Sequence, residues 1–158
     1  MITLGEAAAW YRQAADTIED ELGEVVVTVT ALAVERAKGY IGHEQDEWAP
    51  LSGATIEGFR NAYGFRIPGK RELGYSPPDY EPLLRSGQMR ESIEGVAEGL
   101  TGIIGSADKV MLYQEMGTPN ARYPIPPRPV LALALMNSVP DIVEGCGEVA
   151  VKILVPEA

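Results

Sequence analysis

His43, Cys146 and a large set of carboxylates are the residues here whose chemistry suits catalysis or metal binding. His43 is the only histidine and stands among Glu44, Asp46 and Glu47. No second nitrogen or thiolate lies at a zinc-ligand spacing from it, which argues against a zinc site. Cys146 sits between Gly145 and Gly147. With no basic neighbour in sequence to lower its pKa, it reads as a small packed residue rather than a nucleophile. Asp16, Glu19, Asp20, Glu21 and Glu24 are spaced like a solvated helix face. An acid–base pair would need surroundings that drive two carboxyl pKa values apart. The acids at 44–47 lack the D-x-[DN]-x-[DN]-G pattern of a calcium loop. There is no serine elbow, phosphate-binding glycine loop or dinucleotide fingerprint. The expectation is a protein that is not an enzyme and uses no metal or cofactor.

The elements that would position these residues follow from pattern. The chain has 158 residues, 46% hydrophobic and 23% charged, which suits one soluble α+β domain over 1–158 with a genuine core. No apolar run approaches the ~20 residues of a membrane span. The opening residues lack a signal peptide's basic start and cleavage site, so the expected setting is a reducing cytoplasm. Net charge is −10, and residues 1–48 carry 10 acids against 3 bases. Such a surface repels phosphate backbones, so sequence-specific nucleic-acid binding is not expected. The wall of a channel through which DNA passes could be acidic.

Thr3 and Glu6 form a capping box. Behind it, Ala8, Tyr11, Ala15, Ile18, Leu22, Val25, Val29 and Leu32 alternate in steps of three and four, a heptad seam. One reading is a long helix over 1–42, ending at Gly39 or Gly42 and packing partly on other subunits. At about 55 Å it would exceed the roughly 30 Å expected of a compact domain this size. The other reading is a kink at Gly23 and a strand from the β-branched run Val25–Thr30.

Ser52 or Thr55 is expected to cap a short helix through Ile56, Phe59 and Tyr63. Gly64–Pro82, with four prolines, three glycines and the bases Arg66, Lys70 and Arg71, reads as an extended loop reaching a neighbour. Residues 83–137 follow as a core: a capped turn at Leu83–Ile93 with Ser86 as cap, then a β-hairpin turning at Glu98-Gly99. A helix over Lys109–Met116 ends at Gly117. Tyr123–Pro129 holds four prolines in seven residues and reads as extended backbone. It also resembles a ligand for polyproline-reading domains, the basis of a soluble-adaptor reading. Val130–Asn137 is a helix, and the C-terminal element 138–158 restarts at Ser138 with Pro140 in its first turn. Residues 148–155 suit either a strand or a helical seam through Ile142, Cys146, Val149 and Ile153.

Leu84-Arg-Ser-Gly-Gln-Met-Arg-Glu-Ser-Ile93 resembles the L-x-x-S-G-x-L-R-x-S-I segment of the neck or tail-component family of tailed double-stranded DNA phages. Ile104-Gly105-Ser106, Tyr113-Gln-Glu115-Met-Gly117-Thr118 and Pro127-Arg128-Pro129-Val-Leu131 follow in that family's order. Trp48-Ala-Pro50-Leu51-Ser52 looks like the W-x-P-L-S opening of the related Mu-like virion morphogenesis proteins. The resemblance covers roughly residues 48–137. It implies a long N-terminal helix and a C-terminal helix packed on a small antiparallel β-sheet, and a place in the virion neck after assembly in the host cytoplasm. It also implies a symmetric ring, six copies favoured and twelve possible, between portal-side connector proteins and tail-terminator or tail-tube proteins. A tail-terminator ring is the nearest alternative.

The residues expected at subunit or partner contacts are Trp48, Pro50, Leu51, Arg66, Lys70, Arg71, Leu84, Ser86, Gly87, Met89, Arg90, Tyr113, Glu115, Gly117, Thr118, Pro127, Arg128 and Pro129. Gly87 and Gly117 are expected at positive φ or at a close approach. Arg128 is expected either to pair with Glu115 or to be solvated.

Overall fold

In the computed structural model, which describes residues 3–75, 80–121 and 124–154, helix α1 runs unbroken from Leu4 to Tyr40. Its start is the expected capping box: the Glu6 N–H donates to Thr3 Oγ1 at 3.3 Å, and the Thr3 N–H donates to Glu6 Oε2 at 2.8 Å. Its end is Ile41, followed by Gly42 at φ 102, whose N–H donates to Pro82 O at 2.9 Å. Gly23 and Gly39 lie inside the helix, and Val25–Thr30 is helical rather than a strand. Tertiary packing overrides the β preference of that run.

The hairpin of β3 (Ile93–Glu98) and β4 (Thr101–Ser106) lies against α1. Glu98 pairs with Thr101, leaving the two-residue turn Gly99-Leu100. Gly99 is at φ 52 and Leu100 is not at positive φ, as in a type II′ turn. The helix-facing side carries glycines. A Cβ on Gly95 would stand 2.7 Å from Val34 Cγ2, and one on Gly102 would overlap Thr30 Oγ1. Backbone therefore meets helix directly.

From another side come α5 (Leu131–Met136) and α6 (Val139–Leu154). α6 continues helically through 148–154, deciding between the two readings of that stretch; Val155 lies outside the described residues. A Cβ on Gly145 would be 2.6 Å from Val25 Cγ1, so α6 also approaches through a glycine. Arg36 holds the α5–α6 junction. Its Nη1 donates to Asn137 O and Ser138 Oγ, both at 2.9 Å, and its guanidinium pairs with Asp141. Lys152 reaches Glu21 at 2.5 Å, fastening the far end of α6.

The core is Ala37, Ile41, Trp48, Met89, Ile93, Met111, Val130 and Ala134. Along α1 the buried residues are Val29, Ala33 and Ala37, and Ile41 continues the step of four. The expected heptad seam therefore slips once α1 is packed: Val29 is buried, while Leu32 is exposed. Within Leu4–Asp20 of α1 no side chain is buried.

α2 (Gly53–Glu57) is capped by Ser52, whose Oγ accepts from the Thr55 N–H at 3.2 Å. The helix was expected to continue through Phe59 and Tyr63, but Gly58, at φ 79, ends it. Phe59 instead opens β1 (Phe59–Arg60), paired with β2 (Arg66–Ile67). Tyr63 sits in their turn, where Asn61 Oδ1 accepts from the Tyr63 and Phe65 N–H groups at 3.0 Å. The expected loop over 64–82 is thus partly structured; 76–79 lie outside the described residues. Its anchor is Lys70, whose Nζ donates to Glu81 O at 2.8 Å and to Leu84 O, and lies 4.0 Å from the Tyr75 ring centroid. α3 (Gln88–Glu91) has Gly87 rather than Ser86 at its N-cap position. No side chain caps it, and Ser86 Oγ only accepts a long 3.4 Å bond from the Gln88 N–H. α4 spans Lys109–Met116, capped by Asp108.

Gly102→Ala forces Thr30 aside and lowers urea-unfolding stability by about 1–3 kcal/mol. Gly105→Ala, where a Cβ meets open space, changes it by no more than about 0.5 kcal/mol. Separately, the hydrogen bond from Arg36 holds the Asp141 carboxyl below its ordinary value. A lowered carboxyl pKa stabilises the fold above the unfolded value and ceases to do so as pH falls through the folded one. Asp141→Asn therefore melts at a lower temperature than the native chain near about pH 7, and the two melting curves converge near about pH 2.

Candidate functional site

Three of the segments that carried the resemblance, around residues 48–50, 113–118 and 127–131, meet at one corner of the core. Trp48 is buried, and its indole N–H donates to Pro129 O at 3.1 Å. Arg128 is buried, and its Nη2 donates to Ala49 O at 2.7 Å and Pro50 O at 3.2 Å. Its backbone N–H donates to Gln114 O at 2.6 Å. Burial pushes the Arg128 pKa down, against the pull of the Glu44 carboxylate.

The expected Arg128–Glu115 pair does not form, and Arg128 is not solvated. Glu115 instead caps α5 from a distance. One of its oxygens accepts from the Val130 and Leu131 N–H groups at 2.7 and 3.1 Å, and the other accepts from Ala132 at 2.8 Å. α5 has no capping side chain of its own at Val130. A carboxylate there satisfies free N–H groups and complements the helix dipole. The two charged residues thus hold adjacent parts of one strap, each with backbone partners.

Gly117 ends α4 at φ 68, and a Cβ there would meet Ile125 O at 2.8 Å. Thr118 and Ile125 exchange bonds: the Thr118 N–H donates to Ile125 O at 3.0 Å, and the Ile125 N–H donates to Thr118 Oγ1 at 2.9 Å. The proline segment over 124–129 is therefore stitched to α4; Tyr123 lies outside the described residues.

Of the other residues expected at contacts, Met89 is buried in the core and Leu84 packs against it. Gly87, at φ 82, serves backbone geometry. Leu51 and Pro129 are half-buried, and Pro50, Ser86, Arg90, Tyr113 and Pro127 are exposed. Arg66 pairs with Glu72, and Arg71 pairs with Glu57 at 2.6 Å. The side chains of Trp48, Met89 and Arg128 are buried in the chain's own interior.

The surface open to contact lies elsewhere. Leu4, Tyr11 and Ile18 are exposed along the projecting part of α1. Val96 and Ile103, cross-strand partners on the outer face of the hairpin, are 68% and 64% exposed. Leu112 and Met116 are exposed on α4. A cleft of about 360 Å³ opens between the hairpin and α5–α6, floored by α1 residues including Leu22, Val25 and Val29, with Cys146 on its far wall. Spacing alone pointed to Tyr11 and Ile18, whereas Val96 and Ile103 became legible only once the hairpin register was known.

Among the described residues, no group of three or more His, Cys, Asp or Glu side chains is placed to hold a metal ion. Within the same residues, no helix is long and apolar enough to cross a membrane. Comparison with protein-family models, curated proteins and solved structures finds no match.

Glu115→Ala is expected to cost about 1–2 kcal/mol through the lost cap. Arg128→Ala is expected to cost about 2–3 kcal/mol, because the Ala49 and Pro50 carbonyls lose a charged donor. Exchanging the charges, Glu115→Arg with Arg128→Glu, rescues neither defect in chemical denaturation, since neither residue is the other's partner.

Proposed function

We propose that this chain is a structural component of a tailed-phage neck, one subunit of a ring joining the DNA-filled head to the tail. The observation that carries the association part of this reading is the amount of surface left open. The chain exposes 10941 Å², whereas a compact monomer of 17.0 kDa exposes about 7,700 Å². The excess, about 3,200 Å² by the same scaling, is several times what one partner buries in a standard interface, about 800 Å².

Two further features support the neck reading. Three of the segments quoted for the resemblance, around Trp48, Glu115 to Gly117 and Arg128, meet at one corner of the core. A net charge of −10 suits a wall past which DNA slides without binding. The soluble-adaptor alternative loses ground, because the Arg128 backbone and side chain tie the proline segment to the core. A tail-terminator ring shares every one of these features and differs in its partner.

Electron microscopy of lysates from the encoding phage with this gene deleted tests the reading. The expected result is DNA-filled heads and separate tails that fail to join, restored by complementation. Tails of irregular length would move the protein to the tail terminus. Normal infectious particles would overturn both placements.

A further inference from the structure

We infer that the cleft beside α1 receives the N-terminal part of α1 from a second copy of this chain. The inference deepens the association reading and rests on it, but does not require ring symmetry.

The chain carries both halves of such a contact. Leu4, Ala8, Tyr11, Ala15 and Ile18 keep heptad spacing, so they form one strip along the projecting part of α1. Leu4 is 89% exposed and Tyr11 60%. At 100° per residue, Glu6, Asp16 and Asp20 fall on the other side of the helix. Ala7, Ala8, Ala14 and Ala15 keep the strip and one flank slim. It is the face of a helix made to lie against apolar surface, yet within its own chain nothing buries it.

The cleft is the matching surface. Its floor is Leu22, Val25 and Val29, the next positions of the same seam, with Leu100 on one wall and Ile142 and Cys146 on the other. Its lining is mostly aliphatic, and it holds about 360 Å³, room for a few side chains the size of leucine and alanine. Strip and cleft floor lie on one face of one helix. The strip of one copy and the cleft of another therefore present matching apolar surfaces. The open surface of 10941 Å² against the roughly 7,700 Å² of a compact monomer leaves ample area for this contact.

Cys146 supplies the test, being the only cysteine, exposed, and in the cleft wall. In Ala8→Cys, a short bis-maleimide should join Cys146 of one copy to the new thiol of another. The native chain and Glu6→Cys, whose thiol faces away from the strip, should give far less product. Tyr11→Glu, in the projecting part where folding is unaffected by core packing, should weaken association by about tenfold or more in light scattering. Circular dichroism would show its helix content retained.

A ladder of rising mass from Ala8→Cys would support both this docking and the ring. Covalent dimers alone would support the docking and remove the ring from this contact. Equal cross-linking of Ala8→Cys and Glu6→Cys, in a chain that light scattering shows to be oligomeric, would overturn the docking and leave association standing. A monomer at every concentration would overturn both.

Discussion

Val25, Thr30 and Val34 on α1 are met by glycine backbone rather than by opposing side chains. Gly145 comes down on Val25, Gly102 on Thr30 and Gly95 on Val34. Ala33 and Ala37 on the same helix are buried, as is Ala134 of α5. With so little side-chain thickness between them, hairpin and α5–α6 approach α1 closely and gain dispersion contacts that bulkier residues would forbid. The rest of the molecule depends on that approach. It sets where the hairpin presents Ile93 to the core and where α5 presents Ala134. It also leaves the gap between the two flanks that becomes the cleft.

Polar groups then secure the arrangement at its ends. Arg36 satisfies carbonyl, hydroxyl and carboxylate groups around the α5–α6 junction. Glu115 does the same for the start of α5, and Arg128 for the carbonyls after Trp48. Each bond joins segments far apart in sequence, with Arg128 reaching back to Ala49 and Pro50. The partners are mostly main-chain atoms, so these residues fix where backbone runs rather than which side chains meet.

Local chemistry made much of this legible. The Thr3–Glu6 box, the hairpin turn at Gly99, the α4 stop at Gly117 and the restart after Ser138 each announce themselves within a few residues. What was not legible depends on distant neighbours. The heptad spacing persists to Leu32, but the hairpin and α5 turn the buried side of α1 toward Ala33 and Ala37. Phe59 left its expected helix because Gly58 and Gly69 bring two backbones together, an approach no single-segment pattern reveals. The opposite charges of Arg128 and Glu115 suggest a pair, yet each binds backbone instead. Their burial and partners depend on the return of the chain from 48–50.

The projecting part of α1 has a thermodynamic character of its own. Seventeen or so residues of isolated helix are marginal in water, because the first turn is costly to nucleate. Here nucleation is already met, since the segment grows out of a helix that the core holds in place. Its helicity is then a matter of propagation alone, and its backbone opens locally at little free energy. Amide hydrogens before about residue 20 therefore exchange with solvent on a different scale from those around Ala33 and Ala37. Any surface that comes to cover the segment lengthens the protected part of one continuous helix, so association would register as a change in backbone order well away from the core.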